Sequence, residues 1–236
     1  MKLSRITLVV AVIAGLLLLM SGPGYRMEIW GFQFGFQMMR WAVYVGLAGA
    51  GFSVLFLLIP RMRRGQAIWL GAAIVIGLLS AYIPWHGLQQ ARAVPPIHDI
   101  STDTVNPPAF VAILPLRADA PNPPEYAGPE TAAQQHEAYP DLQPVRMDGE
   151  VSQAFQLALT AAEGMGWDLI AVDPAAGRIE ATATTFWYGF KDDVVIRVRA
   201  VDGVTVLDVR SKSRIGRSDV GANAARIRAY LERLAP

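Results

Sequence analysis

Ten residues near the C-terminus, Arg210-Ser211-Lys212-Ser213-Arg214-Ile215-Gly216-Arg217-Ser218-Asp219, set four cations just ahead of a helix start. Backbone N–H groups, glycine and guanidinium groups together favour an anion at such a place, a phosphate or a lipid headgroup. The local alternative is that Ser218 or Asp219 caps the helix while the cations form a solvated face or pair with Asp192 and Asp193. A second group, His98-Asp99 with Asp103 and, further on, His136 and Asp141, has the residue types for acid–base work or metal ligation. Ligation needs three or four converging donors and this spacing is irregular, so no metal is expected; turns and caps account for Asp99, Ser101, Thr102 and Asp103. Asp192 and Asp193 adjoin in an extended run, so their side chains face opposite ways and do not make a catalytic carboxylate pair. The aromatic run Phe186-Trp187-Tyr188-Gly189-Phe190 reads as core, as a ligand shelf, or as a tip resting on a membrane interface. The chain has three histidines and no cysteine. Disulfides, thiol catalysis, lipoprotein acylation and covalent haem are therefore excluded.

These residues are positioned by a short α+β pattern. Residues 150–165 carry Val151, Phe155, Ala158, Leu159 and Ala162 at helical spacing and stop at Gly164-Met165-Gly166. Four strand-like runs follow, at 167–173, 178–188, 193–201 and 204–213, the last two joined by Asp202-Gly203, a two-residue hairpin turn. A final helix over 220–234 presents Val220, Ala224, Ile227, Leu231 and Leu234. Pairing Val201 with Val204 fixes the register. It sets Val198 opposite Leu207 and Ile196 opposite Val209 on one face, and Arg197 opposite Asp208, Val195 opposite Arg210 and Asp193 opposite Lys212 on the other. The first face, with Ile179, Ala181 and Ala183, is the expected core beneath both helices. The second is polar and basic. Trp167, the aromatic run and the basic run are expected to gather at one end of this meander.

Upstream, residues 95–144 hold Pro95-Pro96, Pro107-Pro108 and Pro123-Pro124, which exclude long helices and leave a disordered linker or an extended arm that wraps the domain. Apolar anchors such as Ile97, Phe110, Ile113 and Tyr139 favour the arm. It carries eight acids, Asp99 to Asp148, against Arg117 and Arg146, and so could lie across the basic face and supply its partners. Whether that face is covered or open for binding stays undecided at this level.

The N-terminal third is membrane-like. Lys2 and Arg5 precede an apolar run over 6–20, read as an uncleaved helix rather than a signal peptide because no small-x-small cleavage site follows. Two uncharged runs, 41–60 and 67–85, are each long enough to cross a hydrocarbon layer about 30 Å thick. Arg61-Met62-Arg63-Arg64 lies between them and would hold that loop in the cytoplasm, placing the N-terminus inside and everything after His86 outside. Trp30, Phe32, Phe34 and Phe36 alternate with Gly and Gln and read as an interfacial lead-in; Ala42, Gly46 and Ala50 recur every four residues and allow close helix packing. The apolar runs 6–20, 41–60 and 67–85 lack Asp, Glu, Lys and His, so nothing in them suggests transport.

Several motifs recur together. Pro95-Pro96-Ile97-His98-Asp99-Ile100-Ser101-Thr102-Asp103, Tyr139-Pro140-Asp141, Gly166-Trp167, Gly189-Phe190-Lys191-Asp192-Asp193 with Ile196-Arg197-Val198, and Arg210 to Arg214 running on to Gly221-Ala222-Asn223 resemble the domain-of-unknown-function-1499 family over roughly 94–235. That resemblance implies no reaction, substrate or catalytic residue. It does imply that the arm belongs to the domain and that His98, Asp99 and Asp103 meet the basic end. The chain as a whole is expected to be α+β. A three-helix transmembrane anchor fills 1–90 (spans about 6–22, 41–60 and 67–86), a proline-rich arm 91–149, and a two-layer domain 150–236, built as helix, four-stranded antiparallel meander, helix.

The expected role is a membrane-anchored binding or accessory module of the cell envelope, with no cofactor. Its domain would be periplasmic, on a bacterial inner membrane. Binding would fall to His98, Asp99, Asp103, Trp187, Asp192, Asp193, Arg210, Lys212, Arg214 and Arg217, with membrane lipids, an anionic envelope ligand or a membrane protein as partners. Nucleic acid is not expected, since net charge is near zero. Two alternatives stand beside it: an envelope hydrolase or transferase using His98 or Asp99 with an arginine-lined anion site, and a structural subunit of a membrane complex.

Overall fold

The computed structural model describes residues 3–234. It divides into two units, one formed by residues up to Gln90 with Phe186–Gly189, the other by Ala91–Thr185 with the chain from Phe190 onward.

In the first unit α1 (Leu3–Arg26), α2 (Phe32–Leu58) and α4 (Ala67–Arg92) are each long and apolar enough to cross a membrane. A single turn, α3 (Pro60–Arg63), carries arginines between α2 and α4. The helices run past the spans that apolar content alone marks. α1 continues through Pro23, because the small residues around it serve packing rather than termination: a Cβ on Gly22 would overlap Trp187 and one on Gly24 would overlap Trp30. The aromatic lead-in is not a separate segment: Phe32, Phe34 and Phe36 lie in the first turns of α2, with Trp30 two residues ahead of it. Its period-two alternation hides a helical pair four apart, Phe32 with Phe36 at 5.8 Å between ring centroids, and Trp30 packs on Phe34 at 5.6 Å. The small-residue repeat does pack helices together. Gly46 of α2 and Gly77 of α4 approach so closely that a Cβ on either would meet the other's carbonyl oxygen, while Gly49 lies against Ala11 of α1.

The second unit is mixed α and β. Its regular elements are β1 (Asp99–Ser101), a 3-10 turn at Leu114–Arg117, α5 (Pro129–Ala138), β2 (Val145–Met147), α6 (Val151–Gly164), β3 (Asp168–Asp173), β4 (Arg178–Thr184), β5 (Lys191–Val201), β6 (Val204–Ser213) and α7 (Ala222–Glu232). β3 to β6 form the antiparallel meander, in the register the hairpin requires: Val201 faces Val204, Val198 faces Leu207 and Ile196 faces Val209. Asp202 and Gly203 both have positive φ, 50° and 79°, the geometry that lets a two-residue turn follow the strand twist. Ile179, Val194, Ile196, Val198, Leu207 and Val209 are buried against Phe155, Ala158 and Ala162 of α6 and Ala224, Ile227 and Tyr230 of α7. Each large apolar side chain buried in this layer contributes about 1.5–3 kcal/mol.

The sheet has six strands, not four, because the arm contributes two. β1 pairs with β6 at Asp99–Lys212 and Ser101–Arg210, and β2 pairs with the same edge at Val145–Leu207 and Met147–Thr205. The arm thus closes an edge that would otherwise expose unpaired backbone groups. It also contains a ten-residue helix, α5, which the prolines permit because Pro129 sits in the first turn, where its missing N–H is no loss. β4 ends at Thr184, short of the expected 188. Thr185 closes a tight loop with Phe190, and Phe186–Gly189 group with the helical unit instead of the sheet.

Candidate functional site

The meander's parity sends Glu180 and Thr182 of β4, Asp193, Arg197 and Arg199 of β5, and Asp208, Arg210 and Lys212 of β6 to the face away from the helices. That face is covered by the arm. Phe110 and Ile113 bury Val195 at its centre, a small apolar layer that polarity alone does not reveal.

The central network holds two acids. The Asp99 carboxylate accepts from Arg210 Nε at 2.8 Å, Arg210 Nη2 at 2.9 Å and the Ala127 N–H at 3.0 Å, and Lys212 Nζ lies 3.1 Å away. Asp193 accepts from Arg117 Nη1 at 2.7 Å, from Arg214 Nε and Nη2 at 2.8 Å each, and from the Thr182 hydroxyl at 2.7 Å. Asp99 and Asp193 are fully buried, and Arg117, Arg210 and Lys212 nearly so. Four cations here face two carboxylates, and the excess positive charge is met by carbonyls and rings. Arg210 donates to Pro108 O and Pro124 O, Lys212 to Glu125 O and Arg214 to Leu116 O. The Phe110 ring sits 4.8 Å from the Arg210 guanidinium and 5.3 Å from that of Arg117. Burial pushes the Lys212 ammonium below its ordinary value against the pull of Asp99, and likewise Arg117 against that of Asp193. Tyr126, whose ring lies 5.5 Å from Arg210, is pushed up to about 12, first by burial and then by Asp99.

Three further clusters surround this centre. Asp103 and Asp208 each accept from both Arg197 and Arg199, at 2.7–3.2 Å, while the other oxygen of Asp103 accepts from the N–H groups of Val105 and Asn106. Glu180, fully buried, accepts from three successive backbone N–H groups, Val111, Ala112 and Ile113, at 2.9–3.1 Å, and Arg178 Nε lies 3.0 Å from it. On the helix side of the sheet Asp192 accepts from Arg226 at 2.6 Å, beside buried Asn223, which bonds Ser211, Ser213 and the carbonyl of His98. Asp192 and Asp193 therefore face opposite ways, as neighbours in a strand must.

The expected site residues separate accordingly. Asp99, Asp193, Arg210, Lys212 and Arg214 come together, Asp103 joins the adjoining cluster, and Asp192 lies on the far face. The imidazole of His98 contacts the Arg217 carbonyl at 3.3 Å, and the Arg217 side chain is exposed. Trp187 belongs to the helical unit, its indole N–H 3.4 Å from Ser21 Oγ, and in the domain Trp167 stacks on Tyr230 at 5.6 Å. The helix start that could seat an anion is filled from within. Asp219 accepts from the N–H groups of Gly221 at 2.8 Å and Asn223 at 2.9 Å, and burial pushes its carboxyl above the ordinary range against those two bonds. Reading the sequence did not single out Arg117, Glu180, Arg226 or Asn223 as site residues. Arg117 carried a signal, as one of two bases in an acidic arm, whereas the cradle of Glu180 depends on a backbone turn that no side-chain pattern encodes.

Chemically, the oxygens of Asp99 and Asp193 are taken up by Arg117, Arg210, Lys212, Arg214, the Thr182 hydroxyl and the Ala127 N–H, which leaves neither carboxylate open to a substrate. Among the described residues no group of three or more His, Asp or Glu is placed to hold a metal ion. A family model described as a protein of unknown function (DUF1499) matches residues 99–234. Comparison with the curated proteins and with the solved structures gives no match.

Proposed function

We propose that this chain, which belongs to the DUF1499 family, is a membrane-anchored accessory module of the cell envelope whose domain stands outside the cytoplasm and works by binding a partner rather than by turnover. The observation that carries the reading is the saturation of Asp99 and Asp193. The acids and cations that could have run acid–base chemistry or held an anion are bonded to one another beneath the arm. What the arm leaves to solvent includes apolar side chains, Val105, Val111, Leu114 and Leu116, which suits a protein partner better than a charged metabolite. Orientation is supported by charge placement. Arg5, Arg61, Arg63 and Arg64 lie at one end of the three helices, against Arg26, Arg40 and Arg92 at the other, and the richer end is retained in the cytoplasm.

The test uses a strain lacking the protein and the absence of native cysteine. His98→Ala should restore the lost phenotype as fully as the natural chain. Failure to do so, with the protein made at normal levels and inserted, overturns the binding reading in favour of an envelope hydrolase or transferase. In the same strain Asp119→Cys should react with a membrane-impermeant maleimide in intact cells and Gly65→Cys only after lysis; the reverse pattern overturns the orientation.

A further inference from the structure

We infer that the arginine end of the helical unit is a binding site for one anionic glycerophospholipid. The site is separate from the domain's charge network and independent of the function proposed above. A pocket of about 280 Å³ opens there, lined by Ser4 of α1, Arg61 and Arg64 of the loop, and Gln66 just ahead of α4, over a floor that includes Leu3 and Phe56. The polar side is built, not incidental: the Ser4 hydroxyl donates to Gln66 Oε1 at 2.5 Å, tying the start of α1 to the start of α4.

The guanidinium groups of Arg61 and Arg64 have no carboxylate partner among the described residues, and no acid lines the pocket. Residues 1–92 contain eight basic residues and a single acid, Glu28, which lies between α1 and α2 and not on the arginine loop. Two forked guanidinium donors, with the one Gln66 amide N–H not given to the Gly65 carbonyl, suit the oxygens of a phosphodiester, which only accept; the Ser4 hydroxyl, already donating to Gln66, holds that amide in place.

The second half of the ligand is defined by what the pocket leads into. Leu3 and Phe56 also line a groove of about 220 Å³ between α1 and α2, continued by Ile6, Val10, Ala48 and Phe52 and apolar but for Thr7. The Thr7 hydroxyl is turned back onto the Ser4 carbonyl at 3.1 Å. A cationic mouth continuous with an apolar groove along a helix pair has the polarity of a phospholipid, headgroup phosphate at the arginines and an acyl chain between the helices. A free phosphate would use the first part only, and a zwitterionic lipid would bring a third positive charge into a pocket that already holds two and no acid.

The experiment is lipid retention by the purified full-length protein, read by native mass spectrometry after exchange into mixed micelles holding equal phosphatidylglycerol and phosphatidylcholine. One phosphatidylglycerol should remain per protomer. Arg61→Gln/Arg64→Gln should reduce its retention about tenfold or more, while Arg63→Gln, whose side chain does not line the pocket, should leave it unchanged. Ala48→Phe fills the groove without altering charge and should weaken retention of phosphatidylglycerol but not binding of soluble glycerol phosphate. Equal retention of both lipids by the natural protein, or undiminished phosphatidylglycerol on Arg61→Gln/Arg64→Gln, overturns the proposal. Full retention by Ala48→Phe overturns the acyl groove. Because Ala48→Phe leaves every charge in place, it keeps the proposal falsifiable even if the double variant inserts poorly.

Discussion

In the domain Arg117, Arg197, Arg199, Arg210 and Arg214 each end on a carboxylate, whereas in the helical unit Arg61 and Arg64 face a pocket without one. The same residue type is used in two ways because acids are distributed unevenly along the chain: residues 1–92 have one, residues 93–236 have 19. A near-neutral total therefore conceals a basic anchor and an acidic remainder. Arginine count says nothing about where an anion binds until the partners of each arginine are known. A buried, paired guanidinium contributes structure, while an unpaired one at a polar boundary is available to a ligand.

The comparison breaks most readily at Asp99. Asp99→Ala strands Arg210 and Lys212 in a buried setting and should lower the stability of the domain by about 3–5 kcal/mol, read from the domain's transition in chemical unfolding of the full chain. A loss below about 1 kcal/mol would mean that the network behaves as if solvated. Adding Lys212→Met to Asp99→Ala should recover part of the loss, since it removes one of the two stranded cations.

Glu180→Gln comes next. It keeps the shape but removes the charge on which three N–H groups converge, and about 1.5–3 kcal/mol should be lost, with faster amide exchange at Val111–Ile113. Tyr126→Phe should change little at neutral pH yet flatten the alkaline limb. The hydroxyl ionises near 10 when unfolded and near 12 when folded, so its contribution is complete below 10 and lost as pH rises from 10 through 12.

Least affected should be the exposed pairs. Asp141 and Arg228 meet at 2.6–2.7 Å but remain largely in water, so Asp141→Asn should cost at most about 0.5 kcal/mol. Arg228 holds the Asp141 carboxyl below its ordinary 3.8, so this small stabilisation is present above 3.8 and disappears as pH falls through the folded value. Arg61→Gln/Arg64→Gln should shift the domain's transition by less than about 0.5 kcal/mol. A larger shift would show that the two uses of arginine are not independent.

Much of the domain was legible before its structure. The Asp202-Gly203 turn has one favourable register, and alternation in 193–201 and 204–213 then assigns each side chain to a face, because a one-residue slip would turn the core outward. Local rules carried less far where a contact is distant in sequence. Nothing in the spacing of Arg117 points to Asp193, and β1 and β2 are too short to declare themselves as strands until β6 offers them an edge. In the helices, apolar content located the spans but not their ends, since Ser21-Gly22-Pro23-Gly24 looks like a stop and serves instead as a flat seat for two indoles. The basic run was visible as chemistry, and its partners were visible as candidates, Asp99 in the acidic arm and Asp193 on the neighbouring strand. That one cancels the other depended on the arm being folded down.

That covering arm also sets an order of events during synthesis. Asp99 emerges from the ribosome 111 residues ahead of Arg210, an interval of roughly 5–20 s at ordinary elongation rates. Throughout it the strand that β1 and β2 must join does not exist. The nascent arm has to wait as an open chain, kept extended by its prolines and soluble by its eight hydrated carboxylates. Of these Asp99 is later buried and Asp103 partly so, while the other six stay exposed; the two acids that help lock the finished domain first help keep its unfinished chain from collapsing too early.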